Sequence, residues 1–393
     1  MSPIGFIELI TILVTMSGFG VSQNPNAPSP DEVMKYAPAK ADLMVHVDLQ
    51  AVLPGNYKVL TTMANHELLK KQPDLRRQVQ EELGQLEQGL LLVKGFTGID
   101  LINDVHSATA WLAMTKAGPP EGILVVRGNF PADLIDRLAQ PAGTSVTKVA
   151  GVSTIASPDG KAMVAVIDRT IVAGTPRWVR ERLAKKWRAP RVAAGSLNAR
   201  ASAFLATKPF IAFVSAPSPL AQKRIVRELS DAGDAKNAGV DLLTGHQQAG
   251  FAIAHDGVTW VWQARDAAGL QHAAMASEGL IELFRASHLA TRGLARVLIA
   301  SLHSYAGKDP DIDALLRQED KLIEFAVQVS GDGNFRADVR KDAKSRTVTV
   351  DAHGKKLSDV LPVGGLLPLI AAGAYFTLQS EATELLPPPP VRP

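Results

Sequence analysis

Four aspartates, Asp309, Asp311, Asp313 and Asp320, fall at the first, third, fifth and twelfth positions of a calcium-loop pattern, in which oxygen ligands gather around a hard cation. The pattern breaks inside the loop. Ala314 stands where a glycine is needed for the sharp turn, Pro310 takes the second position, and an aspartate replaces the bidentate glutamate. The run 314–320 reads as helix. The carboxylates are therefore expected to cap a helix N-terminus and meet its dipole, with these four as the only metal-ligand candidates. The histidines are scattered. His246 and His255 flank one predicted strand about 30 Å apart, and His288 and His303 lie about four turns apart on one predicted helix. Neither pair can share an ion.

The densest basic stretch runs from Arg177 to Arg188 on a helix opened by Pro176. Val179, Leu183 and Trp187 align on one face, with Arg180, Arg182, Lys185 and Lys186 around the rest. Such a helix either lies on an anionic surface, with Arg180, Lys185 and Lys186 as the contacting charges, or docks its apolar stripe on its own sheet. The second arrangement is the expected one, because the first half of the chain needs a closing helix. Asp48, Asp104 and Asp133 sit on separate elements and read as structural carboxylates at strand ends and helix starts. The phosphate-cradling, dinucleotide, nucleophile-elbow and His-Glu-x-x-His patterns are all missing. With no cysteine, thiolate metal sites, iron–sulfur clusters and a cysteine nucleophile are excluded. No cofactor is expected.

The 393 residues suggest about two domains. A hydrophobic content of 46% supports a packed core, and a net charge of +3 is far from a nucleic-acid-binding composition. Two stretches share one order of elements. In the first, Leu43–Leu49 reads as a strand. A helix opened by Pro73-Asp74 carries the stripe Leu75, Val79, Leu83, Leu86 and Leu90. Paired strands follow at 107–114 and 122–127, then a short helix near 130–138. Strands at 151–156, 162–167 and 170–173 complete this half. In the second, a strand at 209–215 precedes a helix at 219–231. A hairpin turns at Asp256-Gly257 between 249–254 and 258–263, and a helix follows from 267 to 285. Strands at 322–330, 335–340 and 346–351 complete it. The shared order predicts an internal duplication. The fold class is α+β: two similar lobes, each an antiparallel sheet with helices packed on one face.

The ends carry different signals. Ile4 to Val14 is an apolar run of signal-peptide length, followed by small residues up to Ser22 and a Pro-rich spacer. At the other end, Val360 to Ser380 is uncharged but interrupted by prolines and glycines, and fits a buried helix or a membrane anchor. The expected organisation is 1–22 as a signal peptide or N-terminal hydrophobic segment, 23–35 as spacer, 36–190 as lobe 1 and 191–202 as linker. Lobe 2 then occupies 203–358, a hydrophobic segment 359–380 and a Pro-rich tail 381–393.

Tyr36-Ala-Pro-Ala-Lys-Ala-Asp-Leu-Met-Val-His-Val-Asp48 resembles the opening of uncharacterised bacterial exported and cell-envelope proteins. These step through Pro-Ala-Asp into a hydrophobic strand and carry repeated α+β lobes. The resemblance implies export to the periplasm or envelope and no catalytic residue. The expectation is a non-enzymatic envelope protein with a binding or structural role, its partner another envelope protein or the membrane surface, and no nucleic acid. The alternative is a membrane-associated enzyme or accessory subunit with a site built from scattered residues. For location, the alternative is the cytoplasmic face with a C-terminal anchor. A deep pocket of convergent polar groups favours the enzyme and an apolar groove favours the binding protein.

Overall fold

Leu43–Asp48 forms strand β1, and every residue in it after Leu43 is buried. A strand without exposed positions belongs in the middle of a sheet covered on both faces. β1 pairs antiparallel with β2 (Val105–Ala113) on one side and β8 (Ile211–Ser215) on the other. The computed structural model describes residues 24, 27–38, 40–64, 73–116, 119–184, 196–231, 245–304, 306–308, 313, 316, 317, 319, 320 and 333–361.

Helix α1 (Pro30–Met34) precedes β1, and α2 (Leu49–Ala64) and α3 (Pro73–Thr97) separate it from β2. Then come β3 (Glu121–Gly128), α4 (Leu134–Ala142), β4 (Thr147–Val149), β5 (Val152–Ala156), β6 (Met163–Ile167), β7 (Thr170–Gly174) and α5 (Pro176–Leu183). Helix α6 (Leu197–Ala206) leads into β8, α7 (Pro219–Asp231), β9 (His246–Ala254), β10 (Gly257–Ala264) and α8 (Ala267–His303). The described chain ends with β11 (Arg336–Asp342), β12 (Thr347–His353) and α9 (Leu357–Val360). The strands among the described residues join one 12-stranded antiparallel sheet in the order β11-β12-β10-β9-β8-β1-β2-β3-β7-β6-β5-β4. The α+β class holds. The strands read into two halves lie in one sheet because β1 hydrogen-bonds β8.

Helices cover both faces of this sheet, where the sequence reading placed them on one. On one face Met44, Trp111, Ile123, Val172 and Val214 pack with α5 and α6 through Val179, Leu183, Leu197, Phe204 and Leu205. On the other, Val45, Val47, Ile211, Ile253 and Val350 pack with α2, α8 and α9. Val126, Val166 and Ile171 meet α4 through Leu134 and Leu138. The reason lies in the strands. Ile123 and Val125 point to one side and Val126 to the other, so β3 is apolar on both parities and each side needs a cover.

Residues 191–202 were expected as linker, yet from Leu197 the chain is the buried helix α6, capped where Ser196 accepts from the Ala199 N–H. Leu197, Ala201, Phe204 and Leu205 follow helical spacing and are all buried. Part of the 23–35 spacer also docks. Ser29 and Glu32 form a capping box, and Val33 and Met34 enter the core. At the hairpin the loop residues are His255 and Asp256, while Gly257 already pairs with Ala254 and His353. A side chain at Gly257 would overlap the Ala352 carbonyl, so glycine serves close strand approach there. No helix among the described residues is long and apolar enough to cross a membrane. The signal segment, the predicted strand at 322–330, the tail and the hydrophobic segment beyond Leu361 lie outside the described residues.

His46 is 2% exposed in the middle of β1, its Nδ1 2.8 Å from Thr109 Oγ1. Burial, and then the charge of Arg127, lowers its pKa to about 4. The folded protein therefore refuses a proton that the unfolded chain accepts near 6.5. Above that pH the group costs nothing. As pH falls from about 6.5 towards 4, it should remove up to roughly 3 kcal/mol of stability. Denaturant midpoints at pH 7 and pH 4.5 check this: His46→Gln should lose much less than the native protein between them. Equal losses would place the acid sensitivity elsewhere.

Candidate functional site

Two concavities lie in the part of the sheet formed by β8, β9, β10 and β12. The first is a polar cleft of about 960 Å³ at the strand ends, where β1 finishes and the β9–β10 hairpin turns. Asp48 closes β1 at its floor. Both its oxygens accept from Asn24 Nδ2 at 3.0 Å, and Oδ1 also accepts from the Ala51 N–H at 3.1 Å. Burial raises the Asp48 pKa, opposed by these hydrogen bonds. On the rim, Asp256 lies 3.5 Å from His255 Nδ1 and 4.0 Å from His353 Nδ1, and all three side chains are exposed. Ion pairs this open contribute little. Asp351 accepts from Thr259 Oγ1 at 2.8 Å and pairs with Arg340. Asp48 and Asp351 are thus committed to amide, hydroxyl and guanidinium donors, while Asp256 faces the two histidines. Thr259, the hydroxyl beside them, donates to the Asp351 carboxylate that also pairs with Arg340.

The second is an apolar cavity of about 370 Å³ between one sheet face and α8. Strand register assembles its floor. Phe213 of β8 lies opposite Phe251 of β9, which lies opposite Trp260 of β10. Trp262 follows two residues later on the same face. The Phe213 and Phe251 rings stack at 5.5 Å, and Trp260 meets Phe284 of α8 edge-on at 6.2 Å. The roof is α8, started where Asp266 Oδ1 accepts from the Gly269 N–H at 2.7 Å. It presents Ala273, Ala276 and Ser277 to the rings, followed by Leu280 and Phe284. Small residues facing large rings leave the gap open, so it is a consequence of which side chains oppose each other. Ser277 Oγ accepts from Trp260 Nε1 at 3.1 Å, which satisfies the indole. None of the lining residues carries a charge.

The residues singled out from sequence fall elsewhere. Among the four aspartates, Asp313 accepts from the Gly307 N–H at 2.8 Å, a local turn contact, and Asp320 is exposed. Asp309 and Asp311 lie outside the described residues, and no group of three metal-ligating side chains occurs among the described ones. The basic helix docks through Trp178, Val179 and Leu183, all buried, and leaves Arg180 exposed. Trp178 was not read as part of that stripe. Arg182 lies over the Tyr36 ring at 4.4 Å. Lys185, Lys186 and Trp187 lie outside the described residues. Asp104 accepts from the Asp100 N–H and Asp133 pairs with Arg137, each within its own segment. His246 packs on Trp262 at 4.9 Å, and His288 is buried against Phe335. At the end of α3, Leu91, Leu92 and Phe96 are 60–68% exposed around a shallow hollow.

The aromatic cavity was missed in the sequence reading, although a signal for it exists. Trp260 and Trp262 alternate on one strand face, and Ala273, Ala276 and Ser277 repeat at helical spacing in the next element. No family model matches the chain, and no curated protein matches it. Two solved structures, crystal forms III and IV of TP0453, align at 9% and 10% identity. They cover 60% and 58% of this chain and 80% and 79% of theirs, each with a TM-score of 0.33, too slight a likeness to build on.

Proposed function

We propose that this is a non-enzymatic binding protein of the cell envelope and that its ligand is apolar. The observation that carries the reading is the uncharged cavity lined by Phe213, Phe251, Trp260, Trp262 and Phe284. Uncharged, aromatic-lined pockets of this kind favour apolar ligands. The polar cleft supports an enzymatic reading less well, since Asp48 and Asp351 already hold structural donors and Asp256 is exposed on the rim. Export with removal of residues 1–22 belongs to the same reading and rests on the apolar run and the spacer after it.

The proposal includes an internal duplication. The path β1-β2-β3-β7-β6 on one side of the central pair has the same order as β8-β9-β10-β12-β11 on the other. Strands β4 and β5 are then an insertion in the first half.

A neutral apolar dye, N-phenyl-1-naphthylamine, tests the binding function. The full-length protein should raise and blue-shift its emission saturably, with one site per chain. Ala276→Phe, which puts a ring into the gap, should lower dye affinity at least tenfold without lowering the melting temperature. A protein giving no saturable enhancement is not an apolar-ligand binder.

A further inference from the structure

Resting on that reading, we infer that the cavity takes a single acyl chain, with the polar head of the ligand left outside. The shape argues for a chain. The floor runs along β10 from Val258 to Trp262, four residue steps or about 13 Å. The roof runs along α8 from Ala273 to Phe284, about 16 Å. The volume of about 370 Å³ is therefore drawn out into a slot. An elongated, uncharged slot suits an extended hydrocarbon chain better than a compact ligand. At about 30 Å³ for each small group, the slot holds roughly a dozen carbons.

The chemistry of the walls agrees with the shape. Ring faces and aliphatic side chains give a methylene chain dispersion contacts along its whole length. The Trp260 indole N–H is already taken by Ser277, which removes that donor from the cavity. A charged head drawn inside would lose its water and find no charged partner among the lining residues. Leu280, in the roof, is 40% exposed, and Leu283, three residues further along α8, is 46% exposed. This edge of α8 is an apolar lip at which a chain enters and a head remains in water.

The test is displacement of the dye from the full-length protein by saturated fatty acids of increasing length. Affinity should rise about fourfold for each added methylene and level off near twelve carbons. Ala273→Leu shortens the slot and should move that plateau to shorter chains by several carbons. Should this variant fail to fold, a dibrominated fatty acid added to the unaltered protein gives a second measurement. It should quench tryptophan emission, and the Trp260→Phe, Trp262→Phe protein should lose most of that quenching. The fatty acid and the lysophosphatidylcholine of equal chain length should compete within about threefold, because both heads lie outside. Dye binding with no dependence on chain length, with affinity that climbs without a plateau, or with competition by the acid alone overturns the acyl-chain assignment and leaves the apolar pocket standing. Failure of the dye itself overturns the parent reading.

Discussion

Trp111→Ala should destabilise the protein by about 3–5 kcal/mol, the usual cost of removing a large buried aromatic. Trp111 is 0% exposed in β2 and is the largest of the fully buried side chains. It sits opposite Met44 of β1 and Ile123 of β3, so three adjacent strands lose a shared contact when the ring goes. The helices over this face are already fixed by Val179, Phe204 and Leu205, which limits collapse into the gap. Its indole N–H meets no acceptor among the described residues. That makes Trp111→Phe informative. It keeps most of the volume and removes an unpaired buried donor, so its cost should stay below about 2 kcal/mol. Urea denaturation of both variants checks the pair. Equal losses would mean that the indole N–H has a partner, and a loss below about 1 kcal/mol for alanine would mean that this face repacks.

Asp42→Ala should cost about 3–5 kcal/mol for an entirely different reason. Asp42 is buried just before β1. One carboxylate oxygen accepts from the Met114 N–H at 2.7 Å and the other from the Ser218 N–H at 2.6 Å. Its own backbone donates to the Leu112 carbonyl and accepts from the Ala216 N–H. One residue therefore ties the end of β2 and the end of β8 to the start of β1. Hydrogen bonds to a charged acceptor contribute about 1.5–3 kcal/mol each, and alanine removes two. Asp42→Asn keeps one acceptor and should fall between alanine and the native residue. The comparison is again made by urea midpoint. An alanine variant within about 1 kcal/mol of native would show that water replaces the carboxylate at both amides.

Much of the fold was legible because strand and helix periods are local. Leu43–Leu49, the strand pairs at 107–127 and 249–263, and the helix at 219–231 were each readable from alternation, β-branching and turn residues. The observed elements lie within a few residues of them, and α7 matches at both ends. Helix α6 was missed because its alanine-rich sequence has only three large apolar residues, Leu197, Phe204 and Leu205, among its buried positions. The stripe on α3 was legible as a helix and misleading about burial. Leu86 remains 43% exposed, since periodicity defines a face without saying what covers it.

The sequence alone determined the chemistry that is missing. Residue type decides whether thiolates, phosphate-cradling loops or nucleophile elbows can exist, and no folding event changes that. It also determined the α+β class, because antiparallel hairpins and amphipathic helices are written at periods of two and three to four residues. Only the tertiary structure decided that β1 and β8 pair, which makes one sheet of all the strands, and that helices lie on both of its faces. It alone decided that Phe213, Phe251 and Trp260 stand side by side under the small residues of α8. Those residues are separated by up to 71 positions between Phe213 and Phe284. The cavity depends on cross-strand register and on which helix face docks, and both are set by packing between segments that no local period connects.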